Sequence, residues 1–301
     1  MPSAQALRVR AVLEEQVTPA FKGLSDVVAM RKLWEVLATR STPVPDGVNW
    51  EPVAAGHVPC EWVHGATSRG KQAVLYLHGG WYVFGSAATY RDLVGRLSMA
   101  TGMWILAPDY RLAPEHPFPA AIDDALTAYR WLLSTGIEPG RVVIAGDSAG
   151  GGLTLTTLVA LRDAGDLLPA AAVLLSPATD LTCSGDSYAS RAESDPLFTR
   201  EQVVTLVANY LAGADPASAI ASPIYSVLRG LPPLLVHVGS DEVLLDDSTR
   251  LAERARAAGV EVDLRIWDGM WHVFQRFAGR GVVEAQDSIN LIGAFVKKHV
   301  G

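Results

Sequence analysis

Seven short, continuously apolar runs recur along this 301-residue chain between residues 60 and 269, and they restrict its fold more than any other feature. They are "CEWVHG", "AVLYLHGG", "MWILAPDY", "RVVIAGDS", "AAVLLSPA", "PLLVHVGS" and "EVDLRIWDG", with amphipathic helical stretches between them. A run that is apolar throughout, rather than at alternate positions, describes a strand covered on both faces. Strands of that kind belong to mostly parallel sheets with crossover helices on either side. The fold class expected is therefore α/β. Hydrophobic residues make up 49% of the chain, enough for one substantial core.

Two regions depart from this rhythm. Residues 1–45 carry apolar and charged positions at helical spacing, as in "SDVVAMRKLWEVLATR", and end in the breaker cluster "STPVPDG". They are expected to form a helical cap segment ahead of the α/β domain over 46–301. Residues 182–223 supply helical stretches such as "TREQVVTLVANYL" without an intervening apolar run, and are expected to be an insertion lying over the sheet.

The formal charge of −7 and pI of about 5.5 argue against nucleic acid or an anionic membrane surface as partner, since both require basic patches. No apolar run approaches the roughly 18 residues of a membrane span, and the first residues lack the basic-then-apolar order of a signal peptide. Cys60 and Cys183 offer neither a disulfide framework nor a metal-ligand set. A cytoplasmic protein with two unpaired thiols and no metal is expected.

At residues 146–150 the chain reads Gly-Asp-Ser-Ala-Gly, between an apolar strand and a helical stretch. A serine at such a junction sits on a strained turn with its hydroxyl above the sheet, and the glycines two before and two after relieve crowding in the reversal. The positive end of the following helix faces any oxyanion formed there. Ser148 is the candidate nucleophile.

An activated serine needs a base and an acid, which in this arrangement follow it in the order Ser, Asp or Glu, His. Of the later histidines, His237 lies inside an apolar run and His299 at the chain end, whereas His272 follows a strand and a turn and is the candidate base. Asp241 directly follows the run "PLLVHVGS", at the strand end where sites in open α/β sheets gather, and is the candidate acid; Glu242, Asp246 and Asp247 are its rivals.

From about residue 70 onward, "HGG" at 78–80, "DYRLAPEHPFPAAIDD" at 109–124, "GDSAGG" at 146–151, "GSDEVLLDD" at 239–247 and His272 in "WH" stand in the order of the hormone-sensitive-lipase-like bacterial esterases. The chain resembles that family of α/β-hydrolases. The resemblance implies an α/β-hydrolase fold with a helical cap, and a serine carboxylesterase acting on short- to medium-chain esters through an acyl-enzyme, without metal or organic cofactor. It implies an oxyanion hole from the N–H groups of Gly79, Gly80, Trp81 and Ala149, with His78 structural and Asp147 beneath the loop or stabilising the turn. Trp81, Tyr82 and Phe84 would line a compact pocket. The small ester is the expected partner, and a homodimer is compatible with the family.

Where the family usually has a third glycine this chain has Trp81, which retains an N–H but requires either a negative φ or about 1–3 kcal/mol of strain. Its acid motif also departs from the family's Asp-Pro-Leu, since Asp241 is followed by Glu242 and Val243. The alternatives are an amidase, lactonase or carbamate hydrolase of the same fold, because one triad serves all acyl transfers. A ligand-binding receptor derived from an inactive hydrolase is disfavoured by the presence of His272.

Overall fold

A computed structural model of the protein describes residues 1–22, 26–41 and 43–300. Its strands are β1 (Val48–Ala55), β2 (Val58–Gly65), β3 (Arg69–Leu77), β4 (Met103–Pro108), β5 (Val142–Asp147), β6 (Ala171–Leu175), β7 (Leu234–Gly239) and β8 (Val262–Trp267). They form one sheet in the order β1-β2-β4-β3-β5-β6-β7-β8. The β1–β2 and β2–β4 pairs are antiparallel and all others parallel. β2 through β8 arise from the seven apolar runs.

β1 has no counterpart among those runs. It is an edge strand buried only at its ends, with Pro52 inside it, so hairpin pairing to β2 holds it rather than burial.

Alternate residues of the central strands enter opposite cores, as the two-residue period of a strand requires. Leu75, Leu77, Ile144, Leu174 and Val236 pack with α5 (Ala120–Ser134), α6 (Ala149–Ala164) and α9 (Leu245–Ala257). Val74, Val143, Val173 and Leu235 pack on the other side with α4 (Ala87–Thr101), α10 (Val283–Val300) and α1 (Ala4–Val12). Each buried aliphatic side chain contributes about 1.5–3 kcal/mol relative to exposure. This double cover fixes the sheet, and with it the loops at the carboxyl ends of β3, β5 and β7.

The N-terminal region continues from α1 through a π-helical turn (Leu13–Val17) into α2 (Thr18–Lys22), with α3 (Val27–Ser41) after it. Ser25 and Thr42, part of the expected helical stretch and breaker cluster, lie outside the described residues. Arg31 of α3 donates to the carbonyls of Val83 and Ala113, both at 2.7 Å, and pairs with Glu115. These bonds tie α3 to the loops after β3 and β4. Between β6 and β7 the chain forms α7 (Ser187–Ser190), α8 (Arg200–Leu211) and a 3-10 turn (Pro223–Tyr225). Among the described residues no helix is long and apolar enough to cross a membrane. Cys60 and Cys183 are buried and free, and burial raises their thiol pKa values to about 12 and about 11.

Candidate active site

Ser148 stands between β5 and α6 with φ 54° and ψ −123°, a region that L-residues rarely occupy. The surrounding packing enforces this. A Cβ on Gly146 would lie 2.3 Å from the Gly150 carbonyl oxygen, and one on Gly150 would lie 1.9 Å from that of Leu77. Only glycine at both positions lets β5 reverse into α6 beside β3. Ala149 begins α6, so its N–H has no carbonyl one turn earlier to bond and faces outward from the helix start.

Ser148 and His272 line one cavity of about 100 Å³. Its other walls are mostly apolar, with Tyr90, Asp147 and Arg276 among them: Leu13, Phe21 and Trp34 come from the N-terminal helices, Phe198 from the stretch between β6 and β7, and Phe84 and Phe277 from the rest of the chain. Trp34 and Phe84 pack with ring centroids 5.0 Å apart, closing the cavity on that side.

The acid assignment requires correction. His272 Nδ1 lies 2.8 Å from Glu242 Oε2, while Asp241 pairs with Arg10 of α1 at 2.7 Å. The reason lies in the turn after β7. Asp241 N–H donates to the Met270 carbonyl, and its side chain faces the N-terminal helix; the next residue turns inward and is fully buried. Glu242 Oε1 accepts from Ser176 Oγ at 2.8 Å and from Gly239 N–H at 2.6 Å, leaving Oε2 for the imidazole. Ser176 Oγ in turn accepts from Val273 N–H at 3.1 Å, which anchors the chain beside His272. Burial disfavours a charged His272, but the hydrogen bond and charge of Glu242, with Asp195 and Asp147 farther off, outweigh it and raise its pKa. The rivals Asp246 and Asp247 bind backbone N–H groups of Ser187, and of Thr179 and Asp180, so they brace the β6–β7 insertion.

The glycine loop after β3 is corrected in one member. Gly79 N–H donates to Asp147 Oδ1 at 3.0 Å and is thereby committed. Gly80 and Trp81 N–H groups have no acceptor among the described residues, and Gly80 lines the cavity. Gly80 has φ 119°, and a Cβ there would lie 2.0 Å from the Phe84 carbonyl oxygen. Its own carbonyl accepts from Val83 and Phe84 N–H, which closes the turn.

Asp147 is the post on which this loop is built. It accepts from Tyr76 and Tyr90 hydroxyls at 2.8 and 2.9 Å as well as from Gly79. Burial raises its pKa, opposed by Arg276 and by the two tyrosine hydrogen bonds. His78 is buried beneath the loop, with Nδ1 2.8 Å from the Gly79 oxygen and its ring stacked on Tyr110; burial lowers its pKa to about 4, so it is neutral at pH 7.

Of the three aromatic residues expected to line the pocket, Phe84 does so, whereas Trp81 and Tyr82 do not. Trp81 is 1% exposed, with its indole edge-on to Phe198 at 5.7 Å, and Tyr82 stacks on Tyr210 at 3.8 Å. Both have positive φ, 54° and 60°, which turns their side chains into the core behind the cavity wall. Trp81 thus takes the strained alternative rather than a negative φ. His237 is a packed strand residue on Ser288, its pKa lowered to about 3 by burial.

The residues that sequence reasoning passed over are those of the second wall: Leu13 and Phe21 from the N-terminal helices, and Phe198 from the insertion. Leu13 and Phe21 fall within the helical apolar spacing of the N-terminal region, which does not distinguish a cavity wall from a core, and Phe198 stands just ahead of a helical run with no signal of its own.

A family model described as the alpha/beta hydrolase fold matches residues 74–276. An acetyl-hydrolase of Streptomyces hygroscopicus is 45% identical over 258 residues, covering 86% of this chain and 85% of that protein. An esterase of Acinetobacter venetianus is 39% identical over 213 residues, 70% of each. The crystal structure of an esterase from the bacterial hormone-sensitive lipase family superposes with a TM-score of 0.95 at 44% identity, covering all of both chains. With the serine turn, the glycine loop and the eight-stranded sheet all in place, the chain belongs to the α/β-hydrolase family, in its bacterial hormone-sensitive-lipase branch.

Proposed function

We propose that the protein is a serine carboxylesterase that hydrolyses short- to medium-chain esters. The observation that carries this reading is one mostly apolar cavity lined both by Ser148, on its strained turn, and by His272, whose Nδ1 is held by buried Glu242. Ser148 Oγ attacks the ester carbonyl as His272 Nε2 takes its proton. The tetrahedral oxyanion is received by the N–H groups of Gly80, Trp81 and Ala149. His272 then protonates the departing alcohol, leaving an acyl-enzyme, and activates the water that releases the acid. Glu242 holds the imidazole in the tautomer that presents Nε2 as acceptor and stabilises the imidazolium.

A cavity of about 100 Å³ with mostly apolar walls suits a small acyl or alcohol group. The relatives named acetyl-hydrolase and esterase support the same class. We assign residues 1–45 and the 182–223 insertion to a cap, since both supply walls of this cavity above the sheet. Labelling with an organophosphate, followed by mass mapping, tests the nucleophile: the adduct is expected on Ser148, and an adduct elsewhere, or none, removes the reading. A panel of p-nitrophenyl esters against matched anilides separates esterase from amidase.

A further inference from the structure

The residues on either side of Glu242 are tied to one short piece of the β6–β7 insertion, Ser194 and Asp195. On one side, Arg10 bridges Asp241, at 2.7 Å, to the Ser194 carbonyl, at 2.5 Å. On the other, the Val243 N–H donates to Asp195 Oδ2 at 2.9 Å. The second oxygen of Asp195 accepts from Leu197 N–H at 2.8 Å and Phe198 N–H at 3.2 Å. Leu197 and Phe198 line the cavity, and the Phe198 ring meets the His272 ring edge-on at 5.3 Å.

A carboxylate that is 7% exposed and satisfied by three backbone donors is costly to assemble unless its geometry is used. Here it joins the backbone next to Glu242 to the backbone that presents the cavity wall. From this we infer that Asp195 is a positioning residue, which sets Glu242 against His272 and couples that contact to the substrate-lining turn at Leu197–Phe198. The inference rests on the reading of Glu242 as the acid partner of His272.

Asp195 acts through geometry and through charge. Geometrically, an asparagine has one acceptor oxygen where two are needed, so either the Val243 N–H or the Leu197–Phe198 pair loses its acceptor. The displaced loop would move Glu242, and a misplacement of about 1 Å is enough to cost on the order of 10²-fold in rate. Electrostatically, the charged groups around His272 are Glu242 on the turn after β7, Asp195 on the insertion, Asp147 at the end of β5 and, beyond Asp147, Arg276. Three of these favour the imidazolium, and removing one of them lowers the pH at which His272 titrates.

The test is Asp195→Asn, assayed on p-nitrophenyl butyrate with active sites counted by organophosphate titration. A kcat per active site about 10- to 100-fold lower, KM within about threefold, and an acid limb of kcat/KM displaced to lower pH are expected. Wild-type kcat with an unmoved limb overturns the inference. So does a loss that disappears on counting active sites, since that is what a merely structural residue would give. If Asp195→Asn does not fold, Arg10→Gln cuts the opposite tie: a kcat several-fold lower at constant KM supports the bracket, and a wild-type kcat overturns it. Failure of the parent reading is distinguishable, because Glu242→Gln would then be nearly neutral whatever Asp195→Asn did.

Discussion

Glu242→Gln against Asp241→Asn is the sharpest test of the site, because the two carboxylates are adjacent in sequence and differ wholly in what they touch. In the glutamine variant the amide oxygen stays where Ser176 Oγ and Gly239 N–H fix it, at 2.8 and 2.6 Å. That places the amide NH2 opposite His272 Nδ1, where the wild type has an oxygen at 2.8 Å. Two donors cannot face each other, so the imidazole takes the tautomer with its proton on Nε2, the atom that must accept the serine proton. In the Ser-His-Asp template the equivalent change lowers kcat by about 10⁴-fold, or about 5.4 kcal/mol at about 1.36 kcal/mol per decade. Asp241→Asn removes one charge from a pair whose partners are 19% and 24% exposed; such pairs contribute about 1 kcal/mol or less, so at most a roughly fivefold change is expected. Initial rates on p-nitrophenyl acetate, with circular dichroism to verify folding, decide the matter. A folded Glu242→Gln enzyme with more than about a tenth of wild-type kcat would refute the argument, as would a crippled Asp241→Asn beside it.

Three further outcomes are expected. Because the pKa of His272 is raised, kcat/KM should fall on the acid side with a midpoint above the ordinary imidazole value of 6.5, since below it the protonated ring cannot accept the serine proton; a midpoint under 6.5 in a pH–rate profile contradicts this. Phe84→Ala should enlarge the cavity and raise the hexanoate-to-acetate ratio of kcat/KM by about tenfold or more, at about 1–3 kcal/mol per accommodated methylene, and an unchanged ratio would place Phe84 outside the acyl and alcohol paths. Trp81→Gly should cost about 3–5 kcal/mol for the buried indole, less about 1–2 kcal/mol regained at its positive φ, and a Tm within about 2 °C of wild type would show that the indole is not packed as described.

The strands that are covered on both faces announced themselves as apolar runs, and the glycine spacing around Ser148 declared its turn because backbone from three elements must pass within contact distance there. β1 did not, since an edge strand stabilised by its hairpin partner needs no apolar pattern. The carboxylate that contacts His272 was legible to within one residue. Composition put two carboxylates at the end of β7, but which of them turns inward is decided by the Asp241 N–H to Met270 bond and by the position of Arg10, 231 residues away in sequence. The same holds for Gly79, whose N–H was counted for the oxyanion hole. Only the three-dimensional position of Asp147 shows that it is already taken. Trp81 and Tyr82 were misplaced for a different reason, because their backbone conformation reverses the direction in which a side chain after the glycines would otherwise point.

Three buried carboxylates, Asp147, Asp195 and Glu242, converge on His272 from three separate elements, and all are bound by backbone N–H groups. Their mutual repulsion near a cavity with apolar walls opposes folding, and burial raises the pKa of Asp195 to about 6. The arrangement persists because each carboxylate fixes a different loop: Asp147 the glycine turn, Glu242 the imidazole, Asp195 the wall at Phe198. In the proposed mechanism, a positive charge that appears on His272 during acyl transfer meets negative charge already in place. The same three groups that burden the resting fold therefore favour the transition state, with no dipole left to reorient as the proton moves.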